Sequence, residues 1–110
     1  DELLTEIRLP KVAGAGWSYQ KFHRRAQDWA IVGVAAVRNG SAAVALVNMG
    51  SVPLRATAVE QALAGGASAA DAAAVAADGA EPPSDLNATV EYRQHLARVL
   101  VRRALEECGG

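Results

Sequence analysis

The stretch WAIVGVAAVRNGSAAVALVNM, residues 29–49, decides the fold. Two apolar runs, residues 30–37 and 42–47, flank the dipeptide Asn39-Gly40. Asn and Gly both accept positive φ, which a two-residue type I′ turn demands at its central positions, so the stretch predicts an antiparallel β-hairpin. A strand with one wet face alternates apolar and polar residues. Here Ile31, Val32, Val34, Val44, Leu46 and Val47 fall on both parities, with scarcely a charge among them. Both faces of the hairpin are therefore expected to be covered. Helices later in the chain can supply one cover, and the second is expected to come from outside these 110 residues.

Working outward, residues 17–24 set Trp17, Tyr19 and Lys21 against Ser18, Gln20 and Phe22, a second extended pattern. Residues 3–9 set Leu3, Thr5, Ile7 and Leu9 against Leu4, Glu6 and Arg8, and Pro10 ends the run, which predicts a first strand with one apolar face. Residues 11–16 read as a flexible connector and residues 24–28 as a polar corner. Residues 52–54, interrupted by Pro53, suit a short edge strand. From Thr57 the apolar period lengthens to that of a helix. Thr57 with Glu60 predicts a capping box, and Gly65-Gly66 a stop after Ala64. Ser68 with Asp71 opens an alanine-rich second helix that Gly79 should end, the weakest of the three. Pro82-Pro83 forces an extended linker. The last helix, from Val90 to about Glu107, carries Tyr92, Leu96, Val99, Leu100 and Val101 as its apolar stripe, with Arg93, Arg98, Arg102 and Arg103 elsewhere on its circumference. The fold class expected is α+β, one domain over residues 1–110: a small antiparallel sheet of three to four strands, followed by and packed against three C-terminal helices.

Composition narrows the function classes. About half the residues are hydrophobic and the formal net charge is −1, which suits one small domain and no strongly charged partner. The arginines of the last helix have no basic, aromatic-studded surface to join, so no nucleic-acid partner is expected. No apolar run reaches the ~18 residues of a membrane span, and no signal-peptide pattern is seen, so the setting expected is cytoplasmic. The single cysteine, Cys108, has no internal partner and reads as an incidental thiol. His23 and His95 lack companions at metal-ligand spacing, so no metal site is expected. No P-loop, dinucleotide fingerprint or nucleophile elbow occurs, and extended residues rather than a helix follow Gly14-Ala15-Gly16. No catalytic residue stands out. The chain opens at Asp1 without an initiator methionine, which suggests a piece of a longer polypeptide.

The densest chemistry lies in residues 19–32, YQKFHRRAQDWAIV, where cations crowd a strand corner beside aromatic and aliphatic residues. A solvated turn with Asp28 paired to Arg24 or Arg25 is the simplest account of it. Together with LLTEIRLP at residues 3–10 and DLNATVEYRQHLARVL at residues 85–100, however, this segment closely resembles the C-terminal domain of the FAD-carrying medium subunits of molybdenum hydroxylases, the family of aerobic carbon monoxide dehydrogenase and xanthine dehydrogenase. The resemblance covers nearly the whole chain. It implies an FAD-binding domain N-terminal to this one and absent from these residues. It also implies partners: an iron-sulfur small subunit with 2Fe-2S clusters and a large subunit with molybdopterin, the oxidoreductase chemistry belonging to the complex. By resemblance, Leu4 and Lys21 approach FAD, while Arg25, Asp28 and Trp29 shape the corner beside it. The segments around Pro82-Pro83-Ser84-Asp85 and Glu91-Tyr92-Arg93 are expected to set a turn and the docking of the last helix, with Tyr92 in the core.

A competing reading treats the chain as a self-sufficient α+β interaction or dimerisation module, and the sequence encoded upstream of Asp1 separates the two. Because the phosphate-cradling amides of a dinucleotide site are missing here, two side-chain contacts cannot offset the cost of association. Fluorescence titration of the 110-residue chain with FAD should therefore find weak binding or none, and sub-micromolar affinity would contradict the reading.

Overall fold

In the computed structural model, which describes residues 1–109, the central stretch forms β2 (Val32–Asn39) and β3 (Ser41–Val47) of a four-stranded antiparallel sheet. β1 (Gly16–Phe22) flanks β2, and the two-residue β4 (Leu54–Arg55) flanks β3, giving a meander in chain order. The turn departs from the expected type I′ form. Asn39 pairs with Ser41 and Arg38 with Ala42, so the chain pivots on Gly40, which alone of the two takes positive φ, 76°. Packing selects this register. It places Val34 opposite Leu46 and Ala36 opposite Val44, so the larger side chains of both strands share one face. A two-residue loop would shift the pairing by one and set Val34 against Ala45.

The face carrying Ser18, Val32, Val34, Ala36, Val44 and Leu46 is buried. It is covered by α1 (Thr57–Ala64), which packs on β3, and α3 (Val90–Glu107), which packs on β1 and β2. Between these helices lies α2 (Ala69–Ala73), which gives way to successive turns up to Gly79. An alanine-rich helix gains little burial per residue, and this one combines packing of Ala69, Ala72 and Ala73 against its neighbours with a Ser68 cap, whose Oγ accepts from the Asp71 amide at 3.1 Å. The opposite face carries Trp17, Tyr19, Lys21, Gly33, Ala35, Val37, Ala43, Ala45 and Val47, and no helix among the described residues lies on it. Trp17 is 70% exposed and Tyr19 52%.

Four expectations are corrected. Residues 3–9 form no strand and are exposed throughout, with two side-chain bonds from Arg8 to Glu6 at 2.6 and 3.4 Å. Alternation shows that a segment can be a strand, but without a ladder its amides have no reason to leave water. The capping box of α1 does not form: Ala56 is the N-cap, and Glu60 turns to the sheet instead. Its Oε1 accepts from the Val44 amide at 2.8 Å and from Arg55 Nε at 2.8 Å. This carboxylate satisfies the edge of β3 where β4 stops, a demand stronger than that of an exposed helix end. Tyr92 is half-exposed, meeting Phe22 edge-on at 6.4 Å, and Val99 is only partly buried. Arg93 takes the inward position, on the stripe with Leu96, Ala97, Leu100, Val101, Ala104 and Leu105.

The end of α3 closes against the start of β1. A Cβ on Gly16 would lie 2.3 Å from the carbonyl oxygen of Cys108, so only glycine allows the approach. Nearby, Gln20 Nε2 donates to Glu107 at 2.6 Å and to Ser18 at 3.0 Å. Gly16→Ala should destabilise the chain by about 1–3 kcal/mol through backbone overlap. Gly40→Ala, whose Cβ meets nothing within 4 Å, should lose only about 1–2 kcal/mol from its positive φ. Thermal unfolding of both variants checks the contrast, which fails if Gly16→Ala melts with the wild type.

Candidate functional site

The carbonyl of Ile31 is the anchor of the β1–β2 corner. Ile31 sits where the connection re-enters the sheet, is buried, and donates its own amide to Phe22 at 2.7 Å. A buried carbonyl needs donors, and two side chains supply them. Arg93 Nη1 donates to it from α3, and Asn48 Nδ2 donates to it at 3.3 Å and to the Ala30 carbonyl at 3.1 Å. Asn48 reaches back because it adopts φ 63° at the end of β3, a left-handed conformation that Asn tolerates.

The Arg93 guanidinium, 1% exposed, is neutralised by Asp85 from the linker, its Nη2 meeting the two carboxylate oxygens at 2.9 and 3.0 Å. Its Nε is buried without a hydrogen-bond partner among the described residues. Asp85 also accepts from the amides of Asn87 at 2.9 Å and Ala88 at 3.2 Å. The Asn87 amide first, then the Ala88 amide and Arg93, hold the Asp85 carboxyl below its ordinary value, against an opposing effect of burial. Thr89 then caps α3, its Oγ1 accepting from the Tyr92 amide at 3.1 Å.

These groups line a cleft of about 470 Å³ with Arg24, Asp28, Trp29 and Asn87. A smaller one of about 250 Å³ adjoins it, and Trp29, 93% exposed, borders both. Of the residues singled out by sequence, Asp28 and Trp29 come together here. Arg25 is exposed on the connection, its carbonyl accepting from the Asp28 amide at 3.0 Å. Lys21 lies elsewhere, exposed on the open sheet face opposite Gly33. Leu4, 77% exposed, belongs to the unpaired segment before β1. Sequence reasoning missed Arg93 and Asn48 as organisers of the corner. The signal for Arg93 was its spacing of three, four and seven residues before Leu96, Ala97 and Leu100, which puts it on the apolar stripe. Among the described residues, no group of three or more His, Cys, Asp or Glu is placed to hold a metal ion, and no helix is long and apolar enough to cross a membrane.

This fold and corner have known counterparts. Residues 17–108 match the CO dehydrogenase flavoprotein C-terminal domain. The chain belongs to that family. It is 36% identical to the carbon monoxide dehydrogenase medium chains of Hydrogenophaga pseudoflava and of Afipia carboxidovorans, over 96% of its own length and 40% of theirs. The chain thus spans about two fifths of the curated relatives it matches. In structure it is similar to the carbon monoxide dehydrogenase of H. pseudoflava that lacks the Mo-pyranopterin moiety, with a TM-score of 0.76 and 37% identity over 89% of this chain and 38% of that one. It is also similar to quinoline 2-oxidoreductase from Pseudomonas putida 86, with a TM-score of 0.75 and 26% identity over 86% of this chain and 37% of that one. Both are oxidoreductases, as the family resemblance implied.

Within this family domain, the Arg93–Asp85 pair gives a pH signature. A carboxyl with a lowered folded pKa takes up its proton more readily when unfolded, so its contribution is full above about pH 4, where carboxylates ordinarily titrate, and is lost as pH falls further. Glu60, lowered chiefly by its bond to Arg55 and also by the Val44 amide, adds in the same direction. Asp85→Asn should therefore lower the melting temperature by several degrees at pH 7, with the gap to wild type closing toward pH 3. A gap independent of pH would show that the charge on Asp85 is not what matters.

Proposed function

We propose that this chain is the C-terminal domain of the FAD-binding medium subunit of a molybdenum hydroxylase, preceded in the complete subunit by a separate FAD-binding domain. The match of nearly the whole chain to 40% of the length of carbon monoxide dehydrogenase medium chains carries the reading. In the complex, FAD supplies electron transfer between the iron-sulfur clusters of a small subunit and an external acceptor. Substrate oxidation belongs to the molybdenum cofactor of a large subunit. This domain's part is to complete the flavin's surroundings and to pack the subunit.

The open face suits that part chemically. Gly33 has no side chain and is flanked by Val47, Ala30 and the Tyr19 hydroxyl, so the surface beside Lys21 is flat and largely apolar. A flat apolar surface with an ammonium at one side fits a planar ring system bearing carbonyl oxygens. Lys21 would favour added negative charge on the ring, and Leu4 would pack against it. Arg25, Asp28 and Trp29 would shape the adjoining corner rather than touch the ring. The phosphate contacts would come from the preceding domain, since the glycines before β1 lead into a strand and not a helix.

Lys21→Met in the complete subunit keeps most of the aliphatic stem and removes the charge. The flavin midpoint potential should fall by roughly 20 to 65 mV, the two-electron equivalent of about 1 to 3 kcal/mol at a partly buried site. Redox titration at equal FAD occupancy measures this, and an unchanged potential would assign Lys21 to ordinary surface.

A further inference from the structure

Residues 3–9 alternate with strand periodicity yet bond to no strand. Leu3, Ile7 and Leu9, on one parity, are 85%, 72% and 85% exposed. Scattered exposed aliphatics need no explanation, but three on one side of a seven-residue run form a stripe that water does not favour. A pairing site exists nearby, since β1 is an edge strand, and the segment leaves it empty. Residues 12–15 make a turn instead, with Gly14 at φ 78°.

The boundaries of the two matches bear on this. The C-terminal domain match begins at residue 17, whereas the alignment to the medium chains takes in 96% of the chain. That leaves about 110 × 0.04 ≈ 4 residues unmatched, so at least residues 6–9 are shared with those relatives although they lie outside the domain unit. We propose that residues 3–9 form a strand in the sheet of the preceding FAD-binding domain, added at an edge of that sheet over an apolar layer that takes Leu3, Ile7 and Leu9. This rests on the function proposed above. Main-chain bonds would supply the affinity and the alternate side chains the register. The preceding domain is favoured over a second copy because the connector tethers it: residues 10–16 span at most about 25 Å, which keeps the local concentration of that edge high. Leu4, on the other parity, is then fixed on the far face of the added strand rather than swinging on a free segment.

Hydrogen–deuterium exchange on the complete subunit tests this. The amides of residues 3–9 should exchange roughly 100-fold or more slower than an unstructured segment, while the outward amides of β1 exchange fast. Ile7→Pro removes one donor and should release the rest of the segment, with the amides of β2 and α3 still protected as proof that the domain is folded. Fast exchange of residues 3–9 in a subunit that retains flavin overturns the inference and spares the proposed function. Protection shared with the outward amides of β1, or protection that appears only at high protein concentration, also overturns it, in favour of the home edge or a second copy. A complete subunit that holds no flavin overturns the proposed function itself, and the inference with it.

Discussion

One buried cation sets the geometry of this domain. Arg93 is held inside by charge, by its planar fork and by a backbone carbonyl that needs it, and through these it joins α3 to the linker at Asp85, eight residues before it, and to the β1–β2 connection at Ile31, 62 residues away. Burying an ion is costly unless partners replace the water it loses. Here the carboxylate that neutralises it is half in solvent and is itself held by two linker amides. The arrangement therefore fixes the linker as firmly as the helix. Lysine, a point charge without a fork, could not serve both Ile31 and Asp85 in this geometry.

The sheet shows a second constraint, an asymmetry between its faces. The helix side is filled by Val32, Val34, Val44 and Leu46 against the small residues Ala97 and Ala104 of α3, which let helix and sheet approach closely. The other side is built from Gly33, Ala35, Ala43 and Ala45 with large aromatic residues only on β1. Such a surface is flat and poor in charge, and it suits contact with another flat body better than it suits water. The family's place within a flavoprotein supplies a reason for keeping it so.

Much of the fold was legible because periodicity and punctuation survive tertiary packing. The hairpin, the strand at Trp17, the stop at Gly65-Gly66 and the length of α3 all follow from local rules. What escaped was decided by competition between partners. Glu60 could serve a helix end or a strand edge, and the edge offered it Arg55 as well. Arg93 looked like a surface arginine because its type outweighed its position. The strand pattern of residues 3–9 says nothing of where a neighbour is found. Of the candidate site, the corner at Asp28 and Trp29 could be located from charge density, but Asn48 could not. Its role depends on a left-handed backbone at the end of β3, which the sequence alone does not announce.

The contact between Gly16 and Cys108 has a mechanical consequence. The strand that enters the family domain and the helix that leaves it meet at one corner, with their backbones almost touching. Tension along residues 10–16 would load the β1–β2 ladder first at Gly16, and any shift of that residue would disturb the last turn of α3 packed against it. Any segment appended after Cys108 would emerge beside that same connector. A fusion or affinity tag placed there would crowd that connector, and so would one at the Gly40 turn, which lies at the same end of the sheet because Arg38 pairs with Gly16.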